Sequence, residues 1–184
     1  ETRGYLFAAG KFDLPDDYRL NFGVQTASDE GYLLDYGHSS VDRLENFVGF
    51  SRSRPDFISQ GRLTAYQGPL PDVTTESTPP VLGSARFERQ LRPDIIGGLL
   101  RYGGEIEGHA RPFEIGGTSR DVGRIGLTGA WQDTYVIGPG VIAETEAGLT
   151  LDAYGTFDDP LNEGFLARAQ PEALLTLRWP LVRS

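Results

Sequence analysis

The side chains in this sequence best equipped for chemistry are carboxylates in alternate positions. Glu105 and Glu107 are two residues apart, as are Glu144 and Glu146, with Asp152 in the same alternation. In an extended chain, alternate residues share a face and lie about 6.5–7 Å apart. That spacing falls within the range of glycosidase acid/base pairs. The same faces carry arginines, however, and acids alternating with Arg make a hydrated wall without any further requirement. No paired motif of the kind a catalytic site needs accompanies them. His38 and His109 are the only histidines. His38 stands beside Ser39 and Ser40 in a turn sequence, and His109 stands beside Glu107 and Arg111 on a polar face. Nucleophilic catalysis needs a base, a nucleophile and an orienting group together, and nothing in the sequence assembles them. Asp158-Asp159 precedes Pro160, which reads as a turn, since Ca²⁺ takes about six to eight oxygens. The glycines form neither a dinucleotide fingerprint nor a P-loop. Without Cys there is no disulfide, thiolate metal site or Cys nucleophile. The expectation is therefore no catalytic, cofactor-binding or metal residue, and no enzyme.

The elements that must carry these residues are strands. The organising stretch runs from Asp17 to Phe50. In its first part Tyr18, Leu20, Phe22 and Val24 alternate with Arg19, Asn21 and Gln25. A period of two marks a strand with one apolar and one wet face. The theme repeats, and no window of helical period competes with it. The sequence predicts about ten strands: Gly4–Leu14, Tyr18–Ala27, Tyr32–Gly37, Arg43–Ser53, Phe57–Gln67, Val81–Leu91, one from Leu100 to Arg111, one from Arg124 to Gln132, Val141–Ala153 and one from Phe165 to Trp179. In the ninth and tenth, Leu149, Leu151, Leu175 and Leu177 should form one face, with Glu144, Glu146, Glu172 and Arg178 on the other. The glycines read as small residues that let strands pack and curve. Trp131, Trp179, Tyr135 and Tyr154 fall near strand ends, where either an interfacial girdle or ordinary sheet packing would put them.

The strands are longer than the usual five or six residues and suit a membrane crossing, which takes about nine to eleven. Connections alternate in length from the fourth strand on: short at Arg54–Asp56, long at Gly68–Pro80, short at Arg92–Ile96, long at Phe113–Arg120, moderate at Thr134–Gly140 and long at Gly155–Glu163. A meander with one short-turn end and one long-loop end is the pattern of outer-membrane barrels. A soluble sandwich alternates along its strands too, but its crossovers give no reason for such a rhythm. The net charge of −9 argues against a nucleic-acid partner. No apolar run is long enough for a transmembrane helix, which leaves a barrel open. With no Met and a start at Glu1, the 184 residues read as one β-barrel segment cut from a longer chain.

The segments DYRLNFGVQ, SDEGYLLDYG, DRLENFVGFSR and LRWPLVR resemble the barrel domain of the LPS-assembly outer-membrane protein family (LptD, the organic solvent tolerance proteins), in its alphaproteobacterial form. The likeness covers nearly the whole chain, but its motifs are strand-and-turn idioms rather than catalytic signatures. It implies an open, curved section of a large transmembrane barrel in the Gram-negative outer membrane. It also implies a part in delivering lipopolysaccharide to the outer leaflet. The partners implied are lipopolysaccharide, outer-membrane lipid, the plug lipoprotein LptE and the periplasmic Lpt bridge proteins, the last through a jellyroll domain that this stretch lacks. The gate-forming first and last strands of that family are also absent, and its disulfide cysteines have no counterpart here. From the residues themselves, another outer-membrane barrel (a porin or a lipid-modifying enzyme) and a soluble carbohydrate-binding sandwich stay open.

Overall fold

The computed structural model describes residues 4–28, 44–67, 81–110, 121–138, 140–158 and 164–180. These form nine strands: β1 (Tyr5–Asp13), β2 (Tyr18–Ala27), β3 (Leu44–Arg54), β4 (Phe57–Gln67), β5 (Val81–Leu91), β6 (Leu99–Ala110), β7 (Asp121–Ile137), β8 (Val141–Phe157) and β9 (Gly164–Arg178). All pairs are antiparallel, and the order in the sheet is the order in the chain. The sheet does not close, since β1 pairs only with β2 and β9 only with β8. The only helix among the described residues is a 3-10 turn at Pro15–Asp17. The fold is thus an all-β, antiparallel, up-and-down meander. The strand read at Tyr32–Gly37 lies outside the described residues.

Two strand ends differ most from the sequence reading. β7 runs on to Ile137 and β8 to Phe157, beyond Gln132 and Ala153, where the alternation weakens. The ladder continues through Asp133↔Thr145 to Ile137↔Val141. The connection expected over Thr134–Gly140 is therefore only a tight turn, with Gly138 at φ 55° and Gly140 at φ 94°. That left-handed backbone is one glycine tolerates without a steric penalty. The next connection starts at Asp158 rather than Gly155. The strict alternation of long and short connections weakens there, because 158–163 is shorter than the turn of Arg92–Gly98.

The register fixes two faces. Thr145↔Leu175, Ala143↔Leu177, Leu149↔Pro171 and Leu151↔Ala169 stand on one side. Glu144↔Thr176, Gly148↔Glu172 and Ile142↔Arg178 stand on the other, as the alternation predicts. What is missing is a second layer. Among the described residues the only buried apolar side chains are Leu44 and Ala143. Leu175 and Leu177 remain 61% and 62% exposed, and the described residues form no second sheet over them. A soluble sandwich would bury that face between two sheets.

Without a core, the sheet leans on cross-strand contacts. Phe22 faces Gly10, Phe47 faces Gly23, Phe50 faces Gly61 and Phe87 faces Gly104. Each ring lies over the facing glycine; a Cβ added at Gly23 or Gly61 would come 2.5 Å from the ring. Fully burying a Phe contributes about 1.5–3 kcal/mol, and these rings recover part of that on the neighbouring strand, an arrangement known as aromatic rescue of glycine. The sequence reading treated these glycines as generally permissive; the structure gives them a specific partner.

The short-turn end is organised by charge. Asp16 and Asp17 hold φ of 62° and 65° in the β1–β2 turn, a strained region for non-glycine residues that Asp tolerates better than most. Arg54 on β3 donates from Nε to Asp17 Oδ2 at 2.7 Å, and Arg52 from Nε to the Asp16 carbonyl at 2.8 Å. The Arg52 guanidinium also lies 4.7 Å from the Tyr18 ring centre. At the opposite end the β2–β3 ladder stops at Gly23↔Phe47. Side chains then bridge the splayed strands: Gln25 N–H donates to Asn46 Oδ1, and Glu45 N–H to Gln25 Oε1.

Candidate functional site

The polar face is where the candidate residues meet. Direct partners in the register share a face. One row therefore runs Asn21, Gly49, Arg62, Ser84, Glu107, Arg124, Tyr154 across β2 to β8. The next row runs Gln60, Arg86, Glu105, Gly126, Asp152, Arg168 across β4 to β9. Alternate carboxylates that the sequence could only place on a common side are thus brought into one wall.

Arg124 ties that wall together. Its Nη1 lies 2.7 Å from Glu105 Oε1 and 3.6 Å from Glu107 Oε2, and its Nη2 lies 2.9 Å from Asp152 Oδ1. Asp152 Oδ2 in turn accepts from Arg168 Nη2 at 2.8 Å. One connected charge network therefore spans β6, β7, β8 and β9. The Asp152 side chain is only 1% exposed, although no layer covers the sheet. The glycine opposite it explains how. Gly126 faces both Glu105 and Asp152, and a Cβ there would meet Glu105 Cγ at 2.9 Å. The missing side chain leaves room for the Glu105 and Arg124 side chains to fold over the middle of β7. Arg124 also stands 5.6 Å from the Tyr154 ring, so Tyr154 belongs to the polar wall and not to an aromatic girdle.

The remaining candidates scatter. Glu144 pairs with Arg178. Glu146 sits opposite Gln132 and Leu174. His109 lies between Leu82 and Val122 in the register, on the face of Glu107; Arg111 lies outside the described residues, as do His38 and Asp159. Asp158 has φ 56°, consistent with a turn. Among the described residues no three His, Asp or Glu side chains are placed to hold a metal. Trp131 donates from Nε1 to the Gly97 carbonyl at 3.0 Å, while Tyr135 and Trp179 stand exposed near the same end of the sheet.

No protein-family model and no curated protein matches the chain. The arrangement itself has a definite chemical character. Glu105 and Asp152 accept hydrogen bonds from guanidinium groups, which are poor proton donors because Arg keeps its proton at any ordinary pH. What the wall offers is a hydrated surface of fixed charges and hydrogen-bonding groups. The network was not legible in the sequence, which placed Asp152, Arg124 and Arg168 on polar faces without a pairing. The signal that joins them is the strand register, and alternation alone does not determine it.

Proposed function

We propose that this sheet is a section of an outer-membrane β-barrel that assembles lipopolysaccharide into the outer leaflet, without a chemical step. The observation that carries the barrel reading is the single-layer sheet with an apolar face that no described residue covers. Leu149, Leu151, Leu175 and Leu177 stand on that face, and lipid is the solvent in which such a wall costs nothing. The strands are 9 to 17 residues long, enough to cross a hydrocarbon layer. The free edges of β1 and β9 are where further barrel strands would pair, since an open edge in a membrane is untenable. The polar wall of Glu, Arg, Gln and Thr would face the lumen and the sugar part of the lipid. Support for lipopolysaccharide as cargo comes from the resemblance of the strand idioms to the LPS-assembly family. The same resemblance brings the plug lipoprotein and the periplasmic bridge as partners.

The test is complementation in the source bacterium. The full-length protein carrying Leu149→Arg as the only copy should insert poorly, because a cation near the bilayer midplane costs about 2–4 kcal/mol. Surface lipopolysaccharide should fall and detergent sensitivity should rise. Glu146→Gln should behave nearly as wild type, because a hydrated group has water as an alternative partner. Normal insertion of the Leu149→Arg protein would remove the membrane reading. Normal surface lipopolysaccharide on depletion of the protein would leave a barrel but take away its cargo, as expected of a porin.

A further inference from the structure

The polar wall is open in more than one place, and one of the openings is bordered by groups that other side chains leave unengaged. A concavity of about 400 Å³ lies over β2 to β6, with Asn21, Ser51, Gln60, Ser84 and Arg86 among its lining residues. Its size falls within the ordinary range of small-ligand sites. These five side chains form no hydrogen bond or ion pair with another described residue. Arg86 is the informative one. Its partner in the register is Glu105, but the Glu105 carboxylate is drawn to Arg124 at 2.7 Å on the other side. Arg62, on the same wall, is occupied by Glu45 at 2.6 Å and lies 3.7 Å from the Phe47 ring. Arg86 is thus left as a cation facing open space, with neutral groups that donate and accept on the β2 to β5 side and the Glu105 and Glu107 carboxylates, both turned to Arg124, on the β6 side.

We propose that this concavity binds an anionic saccharide, a sugar carrying a phosphate or carboxylate. A guanidinium offers two parallel N–H donors to such an oxyanion. The hydroxyls of Ser51 and Ser84 and the amides of Asn21 and Gln60 are suited to sugar hydroxyls, which also donate and accept. Gly49 lies in the floor, where a side chain would press on Asn21 Oδ1 at 2.8 Å, so the floor stays low. Glu107, held by Arg124 only at 3.6 Å, forms part of the far rim and accepts from a hydroxyl. The proposal rests on the reading of this face as a lumen wall that meets sugar.

The experiment is saturation-transfer NMR on the purified full-length protein in detergent, with glucosamine 1-phosphate, glucosamine and inorganic phosphate as separate probes. The sugar phosphate should bind more tightly than either other probe. Arg86→Gln should weaken it about tenfold, the scale of one charge-assisted hydrogen-bonded contact, and Arg86→Lys should retain part of the affinity. Arg89→Gln, on the opposite face across from Tyr102, should leave it unchanged. Equal affinity in wild type and Arg86→Gln overturns the proposal, and so does inorganic phosphate binding as well as the sugar phosphate. If the protein stays soluble without detergent and still shows Arg86-dependent binding, the site stands and the membrane reading falls.

Discussion

The polar wall is built in two ways. Over β6 to β9 its charges satisfy one another: Arg124 and Arg168 close around Asp152, and Glu105 is taken up from the side. Over β2 to β5 the same residue types leave a gap, and Arg86 faces it without a partner among the described residues. The composition of the two regions is similar. The difference comes from register, which sets Asp152 directly opposite Arg168 and places the small Gly126 beside both acids. A saturated region holds strands together. An unsaturated one has hydrogen-bonding capacity left for something else.

Substitutions at Asp152, Gly126 and Arg86 in the full-length protein probe that contrast. Asp152→Ala should have the largest effect, because it removes the acceptor that Arg124 and Arg168 share, a carboxylate only 1% exposed, and unties β7, β8 and β9 at one point. The midpoint of heat unfolding, read on semi-native gels, should fall by about 5 °C or more. Asp152→Asn should fall less, since its amide oxygen still accepts. If Asp152→Ala unfolds like wild type, the network is decoration and the two regions are not different in kind. Gly126→Ala comes next, at about 1–2 kcal/mol, because the new methyl must displace the Glu105 side chain. A loss in that range that vanishes when Glu105 is also truncated to Ala would tie the cost to the network. The smallest effect belongs to Arg86→Gln, whose unfolding free energy should stay within about 0.5 kcal/mol of wild type. A larger loss would mean that Arg86 already stabilises the sheet and that the gap is not open.

Much of the architecture could be read from alternation. Leu149 and Glu146 are on opposite faces, and the meander order follows from turns such as Pro55-Asp56 between β3 and β4. The reading faltered where polarity stops reporting on faces. Asp133 sits on the apolar side of β7, near the strand end, where its Oδ1 accepts from the Thr134 N–H at 2.8 Å. The alternation ends the strand at Gln132 and starts a connection at Thr134, yet the ladder runs on to Ile137. For Tyr154 residue type leaves a girdle and ordinary sheet packing equally open, and its register partner Arg124 puts it on the polar wall. The Phe-over-Gly pairs and the Asp152 network escaped for one common reason. Each joins residues of different strands, and a period of two says which side a residue faces but not what it faces.

The unequal ends of β6 and β7 have a consequence for association between molecules. β6 begins at Leu99 opposite Gln132, while β7 continues to Ile137. Past Gln132, the flank of β7 turned toward β6 has no ladder partner among the described residues, and a bare strand flank invites another chain to pair with it. The turn Arg92–Gly98 comes close to the start of that flank. Its Gly97 carbonyl is held by Trp131, and Gly98, at φ 71°, passes so near that a Cβ would meet the Gln132 carbonyl at 2.5 Å. A side chain at Gly98 would lift this guard from the strand. Its damage would show as stickiness between molecules before it showed as a change in the fold.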